Sequence, residues 1–166
     1  MKMIVTLELD TAANNFFNQL RQQYYPAHAN QVNAHLSLFY SLPDEPAIPA
    51  TLSTFTAHTP FSLQVSGLQR YPNGLAYTLT ADTLLSLHQA LQQHWEPWLI
   101  PRDRQPLRPH ITIMNGVTDF KAQQLYEKLQ SSFQPFVVQA TGIGLWQYQK
   151  GPWKLKQLYA FDMRER

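Results

Sequence analysis

Two stretches of one type, His35-Leu36-Ser37-Leu38 and His110-Ile111-Thr112-Ile113, fall at matching places in two successive runs of similar elements. Each reads polar, apolar, polar, apolar. Side chains of a strand point alternately to opposite faces. Each stretch therefore predicts a strand with a histidine and a hydroxyl on one face and two aliphatic side chains on the other. The surroundings repeat as well. Strand Met3–Glu8 matches Leu75–Thr80, helix start Thr11 matches Asp82 or Thr83, and strand Phe61–Val65 matches Pro135–Gln139, at offsets of about 71–75 residues. Agreement across four elements predicts an internal duplication. The expected fold is α+β and bilobal. Residues 1–166 then form a single domain of two pseudo-symmetric lobes, whose pseudo-twofold axis sets His35 opposite His110.

The rest of the chain fits that frame. Met3–Leu9 alternates as a strand, and Asp10 and Thr11 are caps for a helix carrying Ala13, Phe16, Phe17, Leu20 and Tyr24 at helical spacing. Pro26 stops it. A strand over His35–Tyr40 leads to residues 43–50, whose three prolines predict a surface loop, and Thr51–Ala57 reads as a short helix. Tyr71-Pro72-Asn73-Gly74 predicts a turn. Leu84, Leu87, Leu91 and Trp95 form a second helical stripe behind Asp82. Residues 97–109, with four prolines and three arginines, read as loop. His110–Met114 is a strand, Thr118 or Asp119 opens a helix with Leu125, Leu129 and Phe133 facing inward, and Phe136, Val138 and Ala140 begin another strand. Leu155–Met163 is the last one.

Composition narrows the partners. Charged residues are 14% of the chain, against about 25% in ordinary domains, and the net charge is +2. An anionic ligand suits this charge, whereas a duplex-binding surface needs far more. There is no cysteine, which removes disulfides and thiolate zinc sites. No apolar run reaches the roughly 20 residues that span a bilayer. Lys2 is followed by Thr6, Glu8 and Asp10, a pattern foreign to a signal peptide. The expectation is a cytoplasmic protein without membrane attachment, and its short length and low net charge fit a monomer.

Two imidazoles facing each other satisfy the demands of in-line phosphodiester cleavage. The reaction needs a base at the nucleophile and an acid at the leaving oxygen, on opposite sides of phosphorus. An imidazole with an ordinary pKa near 6.5 can serve in either form at neutral pH. The Ser37 and Thr112 hydroxyls can donate to the non-bridging oxygens as charge builds there. No metal or other cofactor is expected, because two histidines are too few ligands for a closed zinc site. His28, His58, His88 and His94 lie outside the motifs and read as ordinary surface histidines.

The segments Ala34-His35-Leu36-Ser37-Leu38-Phe39-Tyr40 and Arg108-Pro109-His110-Ile111-Thr112-Ile113 resemble the two signatures of the 2H phosphoesterase superfamily. The resemblance is to its 2'-5' RNA ligase and cyclic phosphodiesterase-like branch. Phe61 to Gly67 followed by Tyr71-Pro72-Asn73, and the later Gly151-Pro152-Trp153, also look like that branch. Two departures stand out: Ser37 where threonine is commoner, and Met114-Asn115 where relatives often carry a basic residue. The resemblance implies a bilobal duplicated α+β fold, with two antiparallel sheets lining a central cleft and helices outside, and a metal-independent enzyme acting on 2',3'-cyclic phosphate ends of RNA or on cyclic nucleotides, by hydrolysis or by reversible 2'-5' joining. His35 and His110 would be the acid–base pair, in an order the sequence leaves open, and Ser37 and Thr112 would hold the phosphate. Around them, Arg108 is the best placed of Arg102, Arg104 and Arg108 to approach a phosphate. Tyr40, Tyr71, Tyr148 and Trp153 are candidates to stack on a base. The alternative is an RNA-end or nucleotide-binding module that keeps the cleft without efficient turnover.

Overall fold

The computed structural model describes residues 1–162. Strand β1 (Lys2–Leu9) is followed by helix α1 (Thr11–Tyr24), β2 (Leu36–Leu42), α2 (Ala47–Phe55), β3 (Phe61–Tyr71), β4 (Gly74–Thr80), α3 (Asp82–Trp95), β5 (His110–Met114), α4 (Asp119–Gln130), β6 (Phe136–Tyr148) and β7 (Lys154–Ala160). Met163, placed in the last strand from sequence, lies outside the described residues. The helix starts follow local chemistry. Asp10 accepts from the Ala13 amide at 3.2 Å and Thr118 from the Lys121 amide at 3.2 Å, each satisfying a donor of the first turn that has no partner within the helix.

Helix α2 begins earlier than the prolines suggest. Pro46 precedes Ala47 and Pro49 sits in the first turn, where a missing N–H costs nothing. The proline-rich segment before β5 also contains two short 3-10 helices, Glu96–Trp98 and Pro101–Arg104.

All strand pairs are antiparallel, in the order β2-β1-β6-β3-β4-β5, with β7 also on β6. The order reads the same when β1 exchanges with β4, β2 with β5 and β3 with β6. The irregularities match too. Glu8 stands opposite Gly142 and Leu9 opposite Ala140, so Thr141 bulges. Thr78 stands opposite Gly67 and Leu79 opposite Val65, so Ser66 bulges. The registers pair Leu7 with Leu36 and Tyr77 with Ile111. Leu7 therefore corresponds to Tyr77, a slip of two residues from the match read in the sequence. Such a slip keeps every side chain on its face. The two expected sheets meet in one hydrogen-bonded network because β6 belongs to both: its first half pairs with β3 and its second with β1 and β7.

Odd-numbered Met3, Val5, Leu7 and Leu9 enter one core with Ala13 and Phe17 of α1 and Leu84, Leu87, Leu91 and Trp95 of α3. Complete burial of a side chain such as Phe17 or Trp95 contributes about 1.5–3 kcal/mol. Phe16, expected inside, is 39% exposed but keeps edge contacts with Phe17, Tyr77 and Phe136. The even-numbered residues of β1 are left for the other face. The sheet curls until its two edge strands, β2 and β5, come against each other. Among the described residues no helix is long and apolar enough to cross a membrane.

Candidate active site

The approach of β2 to β5 brings the two histidine motifs together. His35 lies one residue ahead of β2, and His110 is the first residue of β5. Both rings are held the same way. Nδ1 of His35 stands 2.8 Å from the Asn33 carbonyl oxygen, and Nδ1 of His110 stands 2.8 Å from that of Arg108. A carbonyl only accepts, so each Nδ1 carries a proton and each Nε2 is left outside that bond. Burial pushes the His35 imidazole down to about 4. The Asn33 carbonyl opposes that shift, and the nearby positive charges of Arg21 and His110 add to it.

The hydroxyl beside each histidine has its own setting. Ser37 is buried, and among the described residues its Oγ has no hydrogen-bond partner. A buried hydroxyl left unpaired costs about 1–3 kcal/mol, which a ligand oxygen would recover. Ser37 lies across the ladder from Thr6, and Thr112 across from Ala76.

Two cavities open beside the histidines. One, of about 280 Å³, is bordered by His35, Trp153, Trp146 and Glu8. The other, of about 390 Å³, is bordered by His110, Arg108, Arg102 and Tyr40. The Trp153 ring lies 4.7 Å from that of His35, and the Tyr71 ring 6.4 Å from that of His110. Arg108 is exposed at the second cavity, and its charge reaches Tyr71. The Arg102 guanidinium covers the Tyr40 ring at 3.4 Å. Two candidates lie elsewhere. Arg104 pairs with Glu96 and donates to the Leu99 carbonyl, away from both histidines. Tyr148 stands at the end of β6 under the Lys2 amine, 5.0 Å from ring centre, and borders neither cavity. Among the described residues no three histidine, aspartate or glutamate side chains gather as a metal site requires.

The sequence profile of the 2'-5' RNA ligase superfamily matches residues 9–152. The chain belongs to this superfamily. No curated protein sequence matches it. Solved structures share the fold at low identity. TT0787 of Thermus thermophilus superposes with a TM-score of 0.66 at 17% identity, covering 97% of this chain and 98% of that one. E. coli LigT complexed with 3'-AMP gives 0.60 at 14%, covering 96% and 97%. E. coli LigT complexed with NADP+ gives 0.59 at 16%, covering 98% of both.

Several groups around the site of this 2'-5' RNA ligase superfamily chain escape a reading by motif. Arg21 of α1 is buried. It donates to the Thr112 carbonyl at 2.8 Å, to the Val32 carbonyl at 2.9 Å and to Asn30 Oδ1 at 3.2 Å. One guanidinium thus ties the segment leading into His35 to the strand carrying His110, with no carboxylate among these partners. Its trace in the sequence is a charge in the buried helical phase of Ala13 and Phe17.

Asp103 is buried as well. Its carboxylate accepts from the amides of Tyr40 and Ser41 at 2.9–3.0 Å, pinning the proline-rich segment onto β2. His88, read as a surface residue, is buried instead. It lies at hydrogen-bond distance from the Leu38 carbonyl, 3.0 Å, and stacks on Phe39. It occupies the same helical stripe as Leu84, Leu91 and Trp95, and that phase overrode its polarity.

Proposed function

We propose that the protein is a phosphoesterase that opens 2',3'-cyclic phosphates of RNA ends or nucleotides without a metal, and that His35 and His110 are its acid–base pair. The matched clamp of both Nδ1 atoms, on histidines at the starts of the two edge strands that meet, carries this reading. Membership of the superfamily supports it, as do E. coli LigT structures with 3'-AMP, NADP+ and ATP bound at matching fold. In the proposed reaction a water oxygen attacks phosphorus and gives its proton to Nε2 of His35. His35 takes this role because burial keeps it neutral at physiological pH. The bond from phosphorus to the 2' or 3' oxygen breaks, and His110 protonates the leaving oxygen. Ser37 and Thr112 donate to the non-bridging oxygens. Arg108 offers charge on the His110 side, and Trp153 and Tyr71 offer aromatic faces. The same attack by the 5' hydroxyl of a second ribose in place of water, with the same ring bond broken and the same leaving oxygen protonated, joins ends. The single domain is read as two pseudo-symmetric lobes, supported by the mirrored strand order and paired bulges.

The test uses nucleoside 2',3'-cyclic phosphates in EDTA. Turnover persists in chelator and falls by at least about 100-fold in His35→Ala and in His110→Ala, the usual scale for a lost general acid or base. Full activity in either variant would refute the two-histidine mechanism. Product analysis separates hydrolysis from joining.

A further inference from the structure

The cavity beside His35 differs in chemistry from the one beside His110. Arg102 and Arg108 border the latter, whereas among the described residues no lysine or arginine borders the former. At its floor lies a chain of three polar groups. The Trp146 indole Nε1–H donates to Thr6 Oγ1 at 2.8 Å, and Thr6 donates in turn to Glu8 Oε1 at 3.1 Å. An indole N–H only donates, so Thr6 Oγ1 accepts from Trp146 and keeps its own hydrogen for Glu8. All three groups rest on Gly144. A Cβ there would stand 2.5 Å from Glu8 Oε1, 2.8 Å from Trp146 Nε1 and 3.0 Å from Thr6 Oγ1. The glycine therefore makes the room in which the carboxyl group lies.

Glu8 is half-buried, and burial pushes its carboxyl group up, against the pull of the Thr6 hydrogen bond. The described ion pairs, Arg70–Asp119 and Arg104–Glu96, do not include it. Thr6 uses only part of the accepting capacity of the two oxygens. A phosphate would be repelled here, whereas a planar group with N–H donors would be held. Trp153 supplies an aromatic wall, 4.7 Å from the His35 ring and 6.2 Å from the Trp146 ring. A volume of about 280 Å³ is near the lower bound of about 300 Å³ for ligand cavities, which suits a single base.

We propose that this cavity is a nucleobase subsite in which Glu8 selects guanine by accepting from its N1–H and N2 amino group while the base lies against Trp153. Guanine presents those two donors side by side to one carboxylate. Adenine and cytosine present a lone amino group beside a ring acceptor, and uracil a lone imide N–H between two carbonyls. This inference rests on the reading of the histidine pair as the phosphate site.

Calorimetric titration of the full chain with 3'-GMP, 3'-IMP and 3'-UMP tests it, with turnover of the corresponding cyclic phosphates followed in parallel. The expected result is binding of 3'-GMP at least about tenfold tighter than 3'-UMP, the usual worth of a bidentate base contact, with 3'-IMP weaker than 3'-GMP because it lacks the amino group. In Glu8→Gln the ratio between 3'-GMP and 3'-UMP falls toward one. Equal wild-type affinity for 3'-GMP and 3'-UMP, or for 3'-GMP and 3'-IMP, overturns the subsite whether or not the variant folds. So does an unchanged ratio in a folded Glu8→Gln. Selective binding with no turnover leaves the subsite standing and refutes the phosphoesterase. Turnover with no base preference does the reverse.

Discussion

Acidification gives a direct test of the desolvation of His35. In the folded protein its imidazole is held to about 4, against about 6.5 in an unfolded chain. Above 6.5 the ring is neutral in both states, and stability is complete. As pH falls below 6.5 the unfolded chain takes up a proton that the folded one refuses. Stability then drops, with a slope approaching about 1.4 kcal/mol per pH unit, until the folded ring titrates near 4. By pH 5 the accumulated loss is about 2 kcal/mol.

The assay is urea unfolding of the wild type and of His35→Gln, which does not titrate, at pH 7 and pH 5. His88, pushed down by burial, also loses stability on acidification, while Glu8, pushed up, gains it. Both are present in the two proteins and cancel in the comparison. The wild-type midpoint is expected to fall by roughly 1 M urea more than that of the variant, for a slope of about 2 kcal/mol per M. Parallel shifts in the two proteins would show that His35 titrates normally, and its assignment as the base would lose its physical ground.

Arg21→Lys keeps the charge but not the fork that reaches Val32, Asn30 and Thr112. It should lower stability by about 2 kcal/mol in urea melts and reduce kcat more than it raises KM, since the two motif strands lose their tie. Gly142→Ala would place a Cβ 2.5 Å from the Tyr159 carbonyl oxygen. That atom is backbone in the β6–β7 ladder, so a loss of about 1–3 kcal/mol in thermal unfolding is expected. Arg104→Ala should cost at most about 1 kcal/mol and leave kcat/KM unchanged, while Arg108→Ala should lower kcat/KM. Equal effects of the two would refute the division drawn between these arginines.

The motif strands were legible because alternation is a local property. Leu36, Leu38, Ile111 and Ile113 are all essentially buried, and that alone sends Ser37 and Thr112 to the opposite face. The helix starts at Asp10 and Thr118 were equally legible, since a cap is made within one turn. His88 and Arg21 were misread or missed because a polar side chain on an apolar stripe is interpreted by partners distant in sequence: the Leu38 carbonyl for one, the Thr112 and Val32 carbonyls for the other. Asp103 was hidden in the same way, its partners being amides of β2.

Sequence by itself determined the alternation of the motif strands, the helices between them and the doubling of the pattern. These depend on side-chain period and on contacts within a turn or two. Only the tertiary structure decided that β6 joins both halves, that β2 and β5 meet edge to edge, and that Arg21 spans the gap. It also decided that Glu8, Thr6 and Trp146 converge over Gly144. Register, curl and desolvation are set by residues far apart in the chain.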